Sequence, residues 1–102
     1  MIDAAKEKGV WAVGVDADQS YLGPQVLTSA MKRVDNSVYD TVKQVLDGDF
    51  AGGTNSRFSL ENEGVGLGRI SAKVPKEYVA KVNAIRQQIV DAKIANIPTG
   101  VK

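Results

Sequence analysis

The 102-residue chain contains no cysteine and no histidine. Their absence excludes disulfides, thiolate nucleophiles, histidine-dependent triads and zinc sites built from Cys and His. Any metal would have to be a hard ion held by oxygens. Lack of cysteine does not by itself fix the compartment, since a reducing cytosol and a disulfide-free periplasmic protein look alike in this respect. Neither sign of charge is in excess: 13 Lys and Arg against 12 Asp and Glu leave a formal charge of +1. That balance disfavours a basic nucleic-acid surface and an acidic disordered tail. No run approaches the roughly 18 apolar residues of a membrane helix, and no charged segment followed by an apolar one opens the chain. The chain is therefore expected to be soluble and to carry no export signal of its own.

With 43% hydrophobic and 25% charged residues, what is present has the composition of one globular domain. Ile2 to Gly9 has the pattern of the last turns of a helix ending in a glycine, with no N-cap in front, as though cut inside an element. Val10 to Val15 is an apolar run expected to form a strand buried on both faces of a parallel sheet. Asp16 to Pro24 is then a loop at that strand's carboxyl end, where ligands of open α/β sheets bind. Val26 to Ala30 is expected to be the next parallel strand, with Thr28 or Ser29 capping the helix after it.

From Met31 the apolar residues Met31, Val34, Val38, Val42, Val45 and Leu46 keep helical spacing, and Gly48 ends the run. Residues 51–74 are glycine-rich and suggest a hinge with one or two short strands. A second amphipathic helix is expected over 75–94, with Pro75 at its first position and Tyr78, Val79, Val82, Ile85, Ile89 and Ala92 in helical register. Residues 96–100 close the chain without further structure. The expectation is one partial α/β domain over 1–102, with a helix-strand-loop-strand-helix unit over 1–50.

Asp16 and Asp18, at the mouth of the first strand, are open to several chemistries. They can hold a divalent ion, act as acid and base, accept hydrogen bonds from vicinal hydroxyls, or simply cap the loop in solvent. The catalytic reading lacks a nucleophile and an obvious second acid, so no enzyme activity is expected. Lys32 and Arg33 would open the first long helix, against its macrodipole, which marks them for a function or for pairing with Asp35 or Asn36. Tyr21, in the polar loop, is the candidate ligand-facing aromatic, whereas Trp11 and Phe50 are expected in the core. Gly64-Val65-Gly66-Leu67-Gly68 does not match G-x-G-x-x-G and is taken as a turn or strand bend, as is Gly52-Gly53-Thr54.

Three blocks together resemble a known family: Ala4 to Gln19 with its Gly14-Val15-Asp16-Ala17-Asp18-Gln19 core, Val26 to Asp35 with Leu27-Thr28-Ser29 ahead of Lys32-Arg33-Val34-Asp35, and Gly64 to Leu67. The chain is similar to the carboxyl-terminal part of the basic membrane protein family, the PnrA-like nucleoside-binding lipoproteins of bacterial ABC importers. The resemblance implies part of a parallel-sheet lobe of a type I periplasmic binding protein, in which two α/β lobes close over a purine nucleoside. It implies that Asp16 accepts bonds from the ribose hydroxyls and that Lys32 donates to the same sugar. Asp18 matches a recurrent acid without an assigned role. No cofactor and no resident metal is implied. The implied partners are the nucleoside and an ABC permease, and the implied location of the full-length parent is a periplasmic or cell-surface lipoprotein.

A complete member of that family would add a lipidated leader, the first lobe and the aromatic residues that sandwich the base. The chain accordingly resembles about the last third of a receptor and, alone, is expected to bind nucleoside weakly or not at all. The other class kept open is a regulatory or self-assembling fragment of the same fold without a transport role. Two parallel strands with their helices leave a sheet edge and an apolar face uncovered. That exposure predicts a homo-oligomer or a complementary chain covering the missing sheet.

Overall fold

The structure is a computed structural model that describes residues 1–98; the last two of residues 96–100, Thr99 and Gly100, lie outside it. The first helix, α1 (Ile2–Glu7), stops at Gly9, whose φ of +65° is the left-handed conformation that glycine adopts without strain. There the Gly9 N–H donates to the Lys6 carbonyl at 3.2 Å and the Val10 N–H to that of Ala5 at 3.0 Å, closing the helix end. The chain reverses into strand β1 (Ala12–Asp16), makes one 3₁₀ turn over Ser20–Leu22, and enters strand β2 (Val26–Lys32). Helix α2 (Val34–Asp47) comes next and ends at Gly48, also left-handed at φ 80°. A short strand β3 (Val65–Leu67) and helix α3 (Lys76–Val90) complete the described chain.

The architecture is α/β, as expected, but the sheet is mixed. Its order is β1-β2-β3, with β1 parallel to β2 and β3 antiparallel to it. The expected parallel pairing is that of β1 with β2, and the glycine-rich segment adds an antiparallel third strand whose pairing continues past β3: the Gly68 N–H donates to the Ser29 carbonyl at 2.8 Å and the Ser71 N–H to that of Leu27 at 2.7 Å. Strand β3 follows β2 only after helix α2 and the glycine-rich segment, and it runs back along β2 in the opposite direction.

The same pairing corrects the start of the first long helix. Met31 keeps helical spacing with Val34 and Val38 and Lys32 falls on the expected polar face of that helix, yet both lie in β2, Met31 opposite Asp16 and Gly66 and Lys32 opposite Val65. Pairing on both edges at Met31 and with β3 at Lys32 holds these residues in the sheet, where a helix start would leave its first N–H groups unpaired. The second long helix likewise begins one residue after Pro75, and its regular part ends at Val90 rather than 94.

The core is thin. Among the described residues Val26 is the one buried hydrophobic side chain, and Gln25 and Ser29 are buried polar ones. Val13 and Val15, expected to be covered on both faces, are half exposed, and Trp11 is too. Val34, Val38, Val42 and Val45, the apolar stripe of α2, are each more than half exposed. The sheet therefore positions its loops through backbone pairing more than through a packed interior.

Candidate functional site

The site candidates gather at the carboxyl end of β1. Asp16 is the last residue of that strand, and its φ of 73° places a non-glycine residue in the left-handed region. Such a conformation costs on the order of 1–2 kcal/mol for an L-residue, less for Asp and Asn than for most others. It persists because the flanking backbone is tied down on both sides. The parallel register sets Asp16 beside Met31, and the Ala17 N–H turns back to the Val15 carbonyl at 3.0 Å.

The parallel register also brings the end of β2 alongside Asp16. The Lys32 ammonium donates to Asp16 Oδ1 at 2.9 Å, with both side chains about two-thirds exposed. The hydrogen bond from Lys32 to the carboxylate, and then its charge, holds the Lys32 pKa above the ordinary lysine value. Solvent screening keeps such an exposed pair weak, so neither group is locked away. An ammonium has three N–H donors and a carboxylate about four acceptor positions, and one contact leaves most of these open.

Arg33, the adjacent cation, is committed elsewhere. Its guanidinium grips Asp35 through Nε at 3.0 Å and Nη2 at 2.8 Å, and Nη2 also reaches Asn36 Oδ1 at 3.2 Å. The Asn36 side chain in turn donates to the Glu63 carbonyl at 3.2 Å. The Asp35 hydrogen bond and charge raise the Arg33 pKa, and the same contact lowers that of Asp35. Arg33 thus ties the start of α2 to the turn before β3, leaving Lys32 as the cation at Asp16.

Asp18 serves the loop itself. Its Oδ1 accepts the Ser20 N–H at 3.1 Å and its Oδ2 the Arg69 N–H at 3.3 Å, joining the β1 loop to the segment after β3. The Ser20 backbone bond is the main reason the Asp18 carboxyl titrates below the ordinary range, with the Arg69 bond adding to it. Gly68 lies close beneath this carboxylate: a Cβ on it would lie 3.0 Å from Asp18 Oδ1, a tight contact. Tyr21 stands on the 3₁₀ turn and is 80% exposed.

Sequence reasoning missed the lock beneath this loop. Ser29 is fully buried, and its hydroxyl accepts the Gln19 N–H at 3.0 Å instead of capping a helix. Thr28, the other expected cap, donates to the Gly68 carbonyl at 3.2 Å. Gly14 makes room for the lock: a Cβ there would collide with Ser29 Oγ and lie 2.8 Å from Gln19 Oε1. The signal was present in the spacing of Gly14, Gln19 and Ser29, but only the register shows that the three meet. Separately, an apolar hollow of about 750 Å³ lies between α3 and the sheet, with Met31, Leu67 and Ile85 among its walls and Lys32 at its rim. Asp16 is not part of its lining.

An open α/β sheet with a charged pair at a strand tip fits the class of solute-binding proteins, and the comparisons agree. The family described as ABC transporter substrate-binding protein PnrA-like matches residues 1–98, so the chain belongs to that family. It is 40% identical over 96 residues to the "ABC transporter nucleoside-binding protein BmpA" of Lactococcus lactis subsp. cremoris, covering 83% of this chain and 26% of that protein. It is 37% identical over 97 residues to a "CD4+ T-cell-stimulating antigen" of Listeria monocytogenes, covering 85% of this chain and 27% of the relative. Among solved structures, a "Transcriptional Activator of comK gene" from Bacillus halodurans superposes with a TM-score of 0.84 at 27% identity, over 90% of this chain and 32% of that one. The chain spans about a quarter of the length of these curated relatives.

Proposed function

We propose that this chain carries the sugar-gripping part of a nucleoside-binding site, with the ribose diol held between the Asp16 carboxylate and the Lys32 ammonium. The observation that carries the reading is the 2.9 Å contact between two exposed, opposite charges at the open tip of β1. A carboxylate accepts two vicinal O–H groups at once, and an ammonium donates to their lone pairs, so a diol satisfies both groups together. Membership of a family of ABC substrate-binding proteins supports a binding role rather than catalysis, with a permease as partner and action outside the cytoplasmic membrane. The nucleoside-binding name of the Lactococcus relative supports a nucleoside as the ligand class, and the purine base is proposed from the family resemblance. Tyr21, exposed on the same loop, is proposed as a weaker contact, and Asp18 as the acid that holds the loop rather than the ligand. Isothermal titration of the whole gene product with inosine, adenosine and guanosine tests this reading. Binding lost in Asp16→Ala supports it, and affinity within about 0.5 kcal/mol of the parent refutes it, because a hydrogen bond to a charged group is worth roughly 1.5–3 kcal/mol.

A second reading, a ligand-sensing regulator of the same fold, is favoured by the superposition on a structure described as a transcriptional activator. Fractionation of cells producing the whole gene product separates the two. Membrane anchoring supports transport, and a cytosolic protein supports regulation.

A further inference from the structure

Asp16 sits at the centre of a turn that closes on itself. The Ala17 N–H donates to the Val15 carbonyl at 3.0 Å while Asp16 holds φ 73°. A bond across two residues around a positive φ makes this the strained form of the γ-turn, which persists only where the surroundings impose it. The strain falls on the residue whose carboxylate meets Lys32. What holds the turn lies just downstream of it. The Gln19 N–H donates to the buried Ser29 hydroxyl, and between that lock and the turn stands Asp18. Its Oδ1 accepts the Ser20 N–H at 3.1 Å and its Oδ2 the Arg69 N–H at 3.3 Å. The Arg69 end is firmly anchored along β2. The Gly68 N–H donates to the Ser29 carbonyl, the Ser71 N–H to that of Leu27, and the Thr28 hydroxyl to the Gly68 carbonyl.

We propose that Asp18 is a positioning residue for the sugar grip: by tying the β1 loop to the segment after β3, it holds the turn at Asp16 and aims the Asp16 carboxylate at the diol before the ligand arrives. The inference rests on the reading of Asp16 and Lys32 as the sugar contacts, and it adds a residue that touches no ligand. Its physical content is preorganisation. A carboxylate already fixed by a braced backbone needs no further ordering on binding. A loop released from Arg69 relaxes out of the strained turn, and apparent affinity then falls with the fraction of molecules that still hold it. Coupling of this kind is reciprocal. A diol gripping Asp16 strengthens the bond from the Arg69 N–H to Asp18 as much as that bond strengthens the grip.

Calorimetry with inosine and hydrogen exchange read by NMR, both on the whole gene product, test the proposal. Asp18→Asn keeps an oxygen for the Ser20 N–H but turns an amide N–H₂ toward the Arg69 N–H, so it removes the brace and spares the local turn. It is expected to weaken inosine binding about tenfold, part of what loss of the Asp16 bond itself would do. The exchange measurement needs no variant and stands even if Asp18→Asn fails to fold. Saturating inosine is expected to slow exchange at the Arg69 amide more than at those of Gly68 and Ser71, whose bonds go to β2. A merely structural Asp18 would protect the three alike. Unchanged inosine affinity in a folded Asp18→Asn, or equal protection at the three amides, overturns the positioning role. If Asp16→Ala weakens binding in the same experiments, the sugar-gripping reading survives that result; if Asp16→Ala has no effect, both fall together.

Discussion

Asp16 and Lys32 stand sixteen positions apart along the chain, and their charged atoms lie 2.9 Å apart. Nothing local brings them together. Asp16 ends β1, Lys32 ends β2, and the parallel register of the two strands places both side chains at one end of the sheet. The loop between them is held by bonds distinct from the pair itself, so substitutions can perturb the support and the charged pair separately.

Gly14 and Ser29 form the lock under the loop. Gly14→Ala drives a methyl group into Ser29 Oγ and the Gln19 side chain, and it is expected to destabilise the fold by about 1–3 kcal/mol, as overpacking does. Ser29→Ala leaves the Gln19 N–H without its partner and is expected to cost a similar amount, about 1–3 kcal/mol. Urea denaturation followed by circular dichroism measures both. An effect below about 0.5 kcal/mol in each would be that of an ordinary surface change, contrary to the lock.

Asp18 makes stability depend on pH at the acid end. Its folded pKa is depressed, chiefly by the Ser20 N–H, so its contribution is present above the ordinary carboxylate value and is lost as pH falls through the lower, folded one. Asp18→Asn is expected to reduce this acid-side slope of stability while lowering stability at neutral pH. Lys32 acts in the opposite sense. Its raised pKa makes its contribution complete below the ordinary lysine value and lost as pH rises through the elevated one. Thermal melts across the two pH ranges, on the parent and on Asp18→Asn and Lys32→Met, measure each slope separately.

The end of α3 stores strain that can be relieved. Ala92 has φ 56°, with its N–H bonded to the Ile89 carbonyl at 3.1 Å and the Lys93 N–H to that of Gln88 at 2.9 Å. This is the geometry that glycine serves at Gly9 and Gly48. Ala92→Gly is expected to stabilise the protein by about 1 kcal/mol, read as a higher urea midpoint with an unchanged slope. A lower midpoint would contradict the assigned strain.

Much of this arrangement is legible in residue type and spacing alone. The glycine that stops α1, the apolar strand after it and the helix ended by Gly48 can all be read this way. The boundary at Met31 cannot, because its apolar side chain suits either period and only the pairing of β2 on both edges decides between them. The direction of β3 is equally hidden, since three residues carry too little pattern to reveal a partner. Asp16 and Lys32 are picked out by the family resemblance, and their contact comes from tertiary register that local spacing does not encode. For Asp18, Gln19 and Ser29 the residues are in view, but the bonds that join Gln19 to Ser29 across 10 positions and Asp18 to Arg69 across 51 are not.

The most direct measurement is an NMR titration of the whole gene product with inosine and with 2′,3′-dideoxyinosine, which differ only in the sugar hydroxyls. If Asp16 and Lys32 grip a diol, inosine shifts the signals of both residues in a saturable way. The dideoxy compound then leaves those signals in place, and Asp16→Ala abolishes the response. Equal shifts with the two compounds, or inosine-induced shifts confined to other parts of the chain, would contradict the account.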